Sequence, residues 1–498
     1  MERAKQPPFK LFNARELPLI AAYFAIGILS VLFSYYVAVI VVVAAAFSLY
    51  LLFRTKSIGR TLAFVLAAVC LFGYGAASLD LHLRNNVGLS GYQTVNCRVI
   101  DVSENEGTYI VVADKMNASD GYHLGKIRFE TDREVSVGDR VEVDGEVSIR
   151  KLSLTSLSAA LAYRKGAKYE IAVEGISATS GTPPLSYTVK EKVRSVLFKW
   201  QGEREGAFTY AMFFGDADAM FEEDKSAMRE VGVAHVFAVS GLHVGVLSAA
   251  ILFLLRKLKV KDKVSFFLLL PFFGFYAYLV GFTPSVLRAA IMVSIGVAAS
   301  ALGERYDDLS ALSLAAISIL LAKPLYLFDV SFLMSFLSIF GIQALARPIE
   351  RGLLRKKCRP KLASGLALSL SATIGLLPLT AMVFGKIPLV GVVLNLLVVP
   401  LASVAYVLSL VALLPTLVVP SFGHLLGAAR YIPLFIVEIS ARAASLGLTA
   451  KYDFSLPEVA VYYATVAFVG KYSLAKRKVK VVAGGIGLGV LTLLILAV

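Results

Sequence analysis

Two histidines flank a serine–glycine pair in the segment from Gly232 to Gly245. His235 and His243 are eight residues apart, an offset of about 80° on a helix, so one groove could hold both side chains. Ser240 and Gly241 between them permit a local break or a close backbone approach. The imidazoles could line a polar path, form a structural pair or bind a metal. The metal is the weakest of these readings, because no carboxylate or third ligand lies nearby.

Arg288 stands in an otherwise apolar run, after Gly281 and Pro284. An ionisable side chain at the centre of a membrane-spanning helix costs at least ~2.5–3.5 kcal/mol, so it normally faces a bundle interior or an aqueous path. The alternative is an arginine near a helix end that reaches the interface. In a polar path, its guanidinium could donate charge-assisted hydrogen bonds to phosphate. Asp329, at the mouth of a span, and Asn395 are further candidates, although Asp329 could equally be a helix cap.

The motifs of common catalytic sites are missing from this sequence. It has no phosphate-cradling P-loop, no nucleophile elbow and no His-rich metallohydrolase signature, and it contains five histidines in all. Three cysteines are too few for a disulfide framework or a cysteine-rich metal site. We therefore expect a protein that is not an enzyme and that needs no metal and no cofactor.

The elements that must position these residues are membrane helices. Hydrophobic residues make up 57% of the 498 residues and charged residues 17%, with a mean hydropathy of +0.72, whereas soluble chains average about 45–50% and about 25%. A span needs roughly 20 apolar residues. The sequence predicts a polytopic α-helical membrane protein of about 12–13 spans, some of them short or broken by Gly and Pro. They are two spans within 17–53, then 61–79, 234–255, 264–282, 285–302, 309–322, 327–346, 362–384, 388–414, 421–446, 458–470 and 479–498.

One long polar stretch interrupts the apolar runs. Residues 88–182 alternate apolar with polar side chains in about five short segments, as in Arg140–Val147, which predicts a small external all-β domain of the OB type. Residues 186–202 carry apolar side chains at helical spacing with lysine and arginine between them. They predict an amphipathic helix that lies on the membrane surface, with Trp200 at the interface, or that packs against the barrel.

The net charge of +15 is distributed in a way that indicates topology. Residues 81–205 contain 17 basic and 17 acidic residues, so the excess lies in the membrane portion. Basic clusters beside spans mark the cytoplasmic side. They place the N-terminus in the cytoplasm and the OB-type domain on the outer side of the membrane. The clusters are Arg3–Arg15, Arg54–Arg60, Arg256–Lys263, Arg347–Lys361 and Lys471–Lys480.

The central motifs resemble those of the ComEC family of competence DNA-uptake channels. The long motif runs from Ala211-Met-Phe-Phe-Gly-Asp216 through the histidine segment to Gly245. Gly281-x-x-x-Ser285-x-x-Arg288 and Pro324-x-x-x-x-Asp329-Val-Ser-Phe332 follow in the family's order. Pro378-Leu and Asn395-Leu-Leu-Val-Val-Pro400 complete the set. The resemblance covers residues 205–475, the competence channel domain. Residues 1–80 and 479–498 are expected to add N-terminal and C-terminal transmembrane helices.

The resemblance implies a channel in the bacterial inner membrane that passes single-stranded DNA into the cytoplasm during natural transformation. It implies single-stranded DNA and the lipid bilayer as partners, with a DNA receptor outside and a cytoplasmic ATP-driven motor. Many relatives carry a metallo-β-lactamase-like domain, which this sequence lacks, so a separate nuclease is expected. Some relatives have a cystine in the OB domain, but Cys97 has no companion cysteine there.

The expected DNA path is lined by His235, Ser240, Gly241, His243, Arg288, Asp329 and Asn395. The leading alternative is a secondary transporter of a small anionic solute, with Arg288 as the clamp and His235 as the proton carrier. Such transporters commonly show repeated halves, and none is visible here. A membrane-embedded enzyme is a third alternative, which the lack of a converging nucleophile and base disfavours.

Overall fold

A computed structural model describes residues 91–105, 108–118, 123–124, 126–149, 167–237, 241–452 and 454–471, together with a few isolated residues elsewhere. The spans expected within 1–80 and at 479–498 lie almost wholly outside the described residues, as does the stretch 152–164.

The polar domain is a closed β-barrel. β1 pairs with both β2 and β5, so the sheet order β1-β5-β6-β4-β2 returns to β1. β4 and β6 are parallel, whereas the other neighbouring strands are antiparallel. The strands are β1 Gly91–Asn105, β2 Thr108–Ala118, β3 His123–Leu124, β4 Lys126–Thr131, β5 Arg140–Ile149 and β6 Ala167–Thr179. The prediction of a small OB-type domain is confirmed.

Alternation along β1 fixes which face is inside the barrel. Val95, Cys97 and Val99 point into the core, while Asn96 between them is exposed, as a period of two residues requires. Phe129 on β4 is fully buried in the same core. Burial raises the pKa of the Cys97 thiol to about 12.

The rest of the described chain is helical. Six helical segments are long and apolar enough to cross a membrane, so the prediction of a polytopic helical membrane protein is confirmed for this part of the chain. They include α5 Asp262–Leu279, α6 Pro284–Leu302, α8 Val330–Arg355, α9 Pro360–Phe384 and α10 Gly391–Val418. The sixth, Pro420–Ala444, joins a 3-10 turn to α11 Gly423–Ala429 and α12 Tyr431–Ala444. The others are α1 Leu185–Gln201, α2 Glu203–Phe214, α3 Glu222–Glu230, α4 Gly241–Lys257, α7 Asp308–Ala322 and α13 Leu456–Val469.

Two of the predicted spans are shorter than a full crossing. α7 has 15 residues and α13 has 14, whereas an upright span needs roughly 20. Capping residues mark where both helices begin. Asp307 accepts a hydrogen bond from the Ser310 N–H at 2.9 Å at the start of α7, and Ser455 and Glu458 form a capping box at the start of α13.

The predicted span 234–255 does not form one continuous helix. A 3-10 turn covers Ala234–Val236, a turn follows at Phe237, and α4 is described over Gly241–Lys257. Gly232 has a φ of 76°, a conformation that ends the preceding helical segment and that favours glycine. The expected 80° relation between the two histidines is therefore wrong, because they do not share a helix.

The amphipathic helix α1 packs against the helical domain. Val193 and Leu197 are buried in the main hydrophobic core. Trp200 makes an edge-to-face contact with His424 at 4.9 Å between ring centroids and also lies against Gly423. The apolar face of α1 therefore contacts other helices, while Lys192 and Arg194 remain exposed.

Candidate functional site

One cavity of about 2580 Å³ lies between the β-barrel and the helices. Its lining includes Ile100 and Asp101 of β1 at one end and residues from Phe384 back to Gly365 on α9. Those nineteen residue steps on α9 measure about 28 Å at 1.5 Å per residue. The hydrocarbon core of a bilayer is about 30 Å thick. The cavity therefore follows α9 over nearly the thickness of a membrane.

Arg288 lies in the first turns of α6, on the wall of this cavity. Its side chain is only 5% exposed. Its Nε atom donates a hydrogen bond to Ser335 Oγ at 2.8 Å, and the guanidinium carbon lies 6.0 Å from the ring centre of Phe336. The guanidinium also lies against Gly241, where an added Cβ would overlap Nη2. No carboxylate pairs with Arg288 among the residues that the structure describes.

Three other candidates line the same cavity. His235 projects from the 3-10 turn and is exposed to it. Asp329 caps α8, because its carboxylate accepts hydrogen bonds from the N–H groups of Ser331 at 2.7 Å and Phe332 at 3.1 Å. Asn395 lies in the first turns of α10, and its Oδ1 is buried with no hydrogen-bond partner among the described residues. With Gly241 and Arg288, five of the seven candidates therefore line the same cavity.

His243 is placed elsewhere. It is 1% exposed and does not belong to the cavity lining. Its ring stacks on Tyr406 at 4.8 Å between centroids. The Tyr406 hydroxyl is 3.5 Å from that of Tyr276, which donates to the Phe213 carbonyl oxygen at 3.0 Å. His243 thus belongs to a buried aromatic layer that joins four helices behind the cavity. Ser240 lies outside the described residues.

Hydroxyl side chains on α9 form a row along the cavity that the sequence analysis missed. Thr373 and Thr380 line the cavity with Ser369. The threonine hydroxyls donate to carbonyl oxygens of their own helix, Thr373 to Ser369 at 3.0 Å and Thr380 to Leu376 at 2.9 Å. The Ser369 hydroxyl donates to the Val392 carbonyl oxygen of α10 at 2.8 Å. The signal was their recurrence at intervals of four and seven residues in an apolar run. They present a polar surface whose donors are already satisfied.

Charged side chains of both signs line the cavity. Asp101 and Glu134 of the barrel and Asp216 and Asp218 after α2 line it together with Lys190 and Arg194 of α1 and Arg229 of α3. Burial, together with the neighbouring carboxylates Asp218 and Asp101, raises the pKa of Asp216, and the nearby Lys190 opposes this. Among the described residues, no three side chains of the metal-ligating types lie together. His235 is therefore not part of a metal site in this part of the chain.

Comparison with known proteins assigns the helical part of the chain to a protein family. A family model described as "Competence protein" matches residues 212–477, just over half of the chain. The chain belongs to the competence protein family. The match covers the histidine segment, Arg288, Asp329 and Asn395, so the resemblance to the ComEC family is confirmed.

Two curated relatives extend the match. ComE operon protein 3 of Bacillus subtilis (strain 168) is 33% identical over 190 residues, which are 38% of this chain and 24% of that protein. Recombination protein 2 of Haemophilus influenzae (strain ATCC 51907 / DSM 11121 / KW20 / Rd) is 23% identical over 387 residues, which are 73% of this chain and 48% of that protein. The matched regions thus cover about a quarter of the Bacillus subtilis protein and about half of the Haemophilus influenzae protein. No solved structure matches the chain.

Proposed function

We propose that this protein is an inner-membrane channel that conducts single-stranded DNA into the cytoplasm during natural transformation. The observation that carries the proposal is the cavity, whose lining runs from the barrel along α9 for about 28 Å. Membership of the competence protein family supports DNA as the substrate. The path is lined by His235, Gly241, Arg288, Asp329 and Asn395, with His243 in the supporting layer behind, and we assign Ser240 to the same path from the sequence alone.

The length of the cavity bears on how a strand would move. At about 3.4 Å per phosphate along one strand, a path of 28 Å holds on the order of eight phosphates. The lining carries carboxylates as well as the cations Lys190, Arg194, Arg229, Arg288, Lys323 and Lys386, so the attraction for phosphate is offset along the path and no phosphate is held tightly. Conduction requires contacts that are weak enough to release the substrate. The chain itself breaks no bond in this scheme and needs no cofactor, and the driving force comes from a cytoplasmic ATP-driven motor.

The orientation follows from the basic clusters. Arg256–Lys263 lies around the start of α5, and Arg347–Lys361 lies around the junction of α8 and α9, which supports a cytoplasmic position for these ends. Gly281, Lys323 and Lys386, near the opposite ends of the same helices, line the cavity. The barrel then faces outward and guides the strand delivered by a DNA receptor, after a separate nuclease has removed the complementary strand.

The size of the cavity disfavours the alternative of a small-solute transporter. Pockets for small ligands typically measure about 300–1,000 Å³ and enclose most of the ligand surface. This cavity, at about 2580 Å³, is larger than that range. A polymer that passes through occupies it better than one small anion.

Complementation of a deletion strain tests the proposal. Arg288→Ala and His235→Ala should lower DNA delivery to the cytoplasm, measured with labelled donor DNA and by transformation frequency. His424→Ala is the matched control, because His424 packs on Trp200 and does not line the cavity. Normal delivery with both variants would rule out the proposed path. A defect in growth or solute flux with intact transformation would indicate the small-solute transporter.

Obstruction of the cavity gives a second test. Ala372 lines the cavity on α9, whereas Leu370, two residues away, does not. Ala372→Trp should reduce DNA delivery at normal protein levels, and Leu370→Trp should not. Equal delivery by the two variants would show that the strand does not pass along α9.

A further inference from the structure

Arg288 carries a buried positive charge that the described protein does not neutralise. A guanidinium has five N–H donors, and one of them, on Nε, binds Ser335. The two terminal nitrogens have no hydrogen-bond partner among the described residues, although the side chain is 5% exposed and borders the cavity. Buried charges are normally paired, because an unpaired one costs free energy. The cavity is the side from which a partner for these donors can arrive.

The start of α6 supplies further groups beside Arg288. Thr283 is the N-cap residue of α6 and lines the cavity. Its hydroxyl makes no capping bond, and its Oγ1 is buried without a partner among the described residues. The positive end of the α6 dipole therefore adds to the charge of Arg288. The start of α8 differs, because the Asp329 carboxylate already caps it.

We propose that Arg288, Thr283 and the N-terminal end of α6 form a binding subsite for one phosphodiester group of the DNA backbone. The proposal rests on the proposed function. A phosphodiester carries one negative charge and two acceptor oxygens, which match the planar fork of a guanidinium. Contacts to phosphate carry no sequence information, so the subsite accepts any strand. A contact to a single phosphodiester group holds each phosphate briefly and then passes it on.

Replacement of phosphate charge in the DNA tests this subsite separately from the channel. The full-length protein, wild type or Arg288→Gln, is expressed in a deletion strain. Each strain receives duplex DNA whose transported strand has either normal linkages or a central block of uncharged methylphosphonate linkages. Electroporation of the same duplexes bypasses the channel and controls for recombination. Protein levels in the membrane are measured for each variant.

We expect the uncharged block to lower delivery by the wild type about tenfold or more, because a charge-assisted contact is lost at each step through the block. Arg288→Gln should lower delivery of normal DNA by a similar factor and should no longer distinguish the two DNAs. Arg288→Lys should keep part of both properties, and Thr283→Val should cause a smaller loss of about threefold.

Each other outcome has a defined meaning. If Arg288→Gln distinguishes the two DNAs as strongly as the wild type does, the subsite is wrong while the channel stands. If the deletion strain takes up normal DNA as well as the wild type, the proposed function itself fails. Free phosphate has the same chemistry as the DNA backbone, so uptake of labelled inorganic phosphate is measured as well. Phosphate uptake that depends on Arg288 would show that the ligand of the subsite is free phosphate and not the DNA backbone.

Discussion

Gly241 at the start of α4 offers a sensitive test of how Arg288 is positioned. An ideal Cβ at Gly241 would lie 3.3 Å from Cζ of Arg288 and 3.6 Å from Cβ of Ala289, and it would overlap Nη2. Since non-bonded atoms normally keep about 3.5–4.0 Å, Gly241→Ala should push the guanidinium back by roughly 1 Å. The backbone of α4 accepts alanine, because Gly241 does not have a positive φ.

The size of the effect follows from the bond that is broken. The bond from Nε to Ser335 is 2.8 Å long, and a displacement of roughly 1 Å takes it beyond the hydrogen-bonding range. A hydrogen bond to a charged group contributes about 1.5–3 kcal/mol, while alanine in place of glycine returns at most about 1 kcal/mol of helix stability. The free energy of unfolding should therefore fall by about 0.5–2 kcal/mol. DNA delivery should fall about tenfold, because each 1.4 kcal/mol of lost interaction is a factor of ten.

The assay combines transformation frequency with thermal unfolding of the detergent-solubilised protein. Gly245→Ala is the matched control, because an added Cβ there meets no atom within 4 Å. It should be neutral or slightly stabilising. The double variant Gly241→Ala/Arg288→Ala should transform like Arg288→Ala alone, because the two changes act on one group. Normal DNA delivery by Gly241→Ala, or a further loss in the double variant, would refute the reasoning.

Three further predictions concern the scaffold. Cys97 should not react with a maleimide at pH 8 until the barrel unfolds, because its pKa of about 12 leaves almost no thiolate; mass spectrometry would show labelling of the native protein if this is wrong. Phe129→Ala should lower the free energy of unfolding of the barrel by about 3–5 kcal/mol, measured by denaturant unfolding, whereas Tyr92→Ala at a site 62% exposed should change little. Asp224→Ala should lower the melting temperature more than Glu222→Ala, since Asp224 is 4% exposed and binds Arg204 in a bidentate pair, while the Glu222 side chain is 78% exposed.

The sequence predicts the barrel well because its signal is local. Alternation in Val95–Val99 determines the inward face of β1, and a register slip by one residue would expose every core side chain. The lengths of apolar runs likewise indicate the spans. The 3-10 turn at Ala234–Val236 is harder to predict, because the run from 234 to 255 is mostly apolar and only Ser240 and Gly241 within it indicate a break. Packing of Gly232 against Pro388, far along the chain, accompanies the break, and periodicity carries no information on such contacts.

The candidate residues also differ in whether the sequence predicts their place correctly. Arg288, Asp329 and Asn395 are candidates because polar groups in apolar runs are costly, and all three line the cavity. His243 satisfied the same criterion, yet its ring is covered by Tyr406. Composition alone does not separate a polar side chain that faces a cavity from one that stacks in a dry layer. The distinction depends on a residue of α10, more than 160 positions away in the sequence.

The charges that line the cavity bear on the role of the barrel. Asp101, Glu134, Asp216 and Asp218 line the cavity, and so do Lys190, Arg194 and Arg229. Under the proposed function, these opposite charges offset one another, so they neither hold a phosphate tightly nor place a barrier of one sign before the buried arginine. The equal numbers of basic and acidic residues in 81–205 agree with weak guidance of the strand. In that proposal, the attraction that brings DNA to the membrane comes from a separate receptor, and the pull through the cavity comes from the motor.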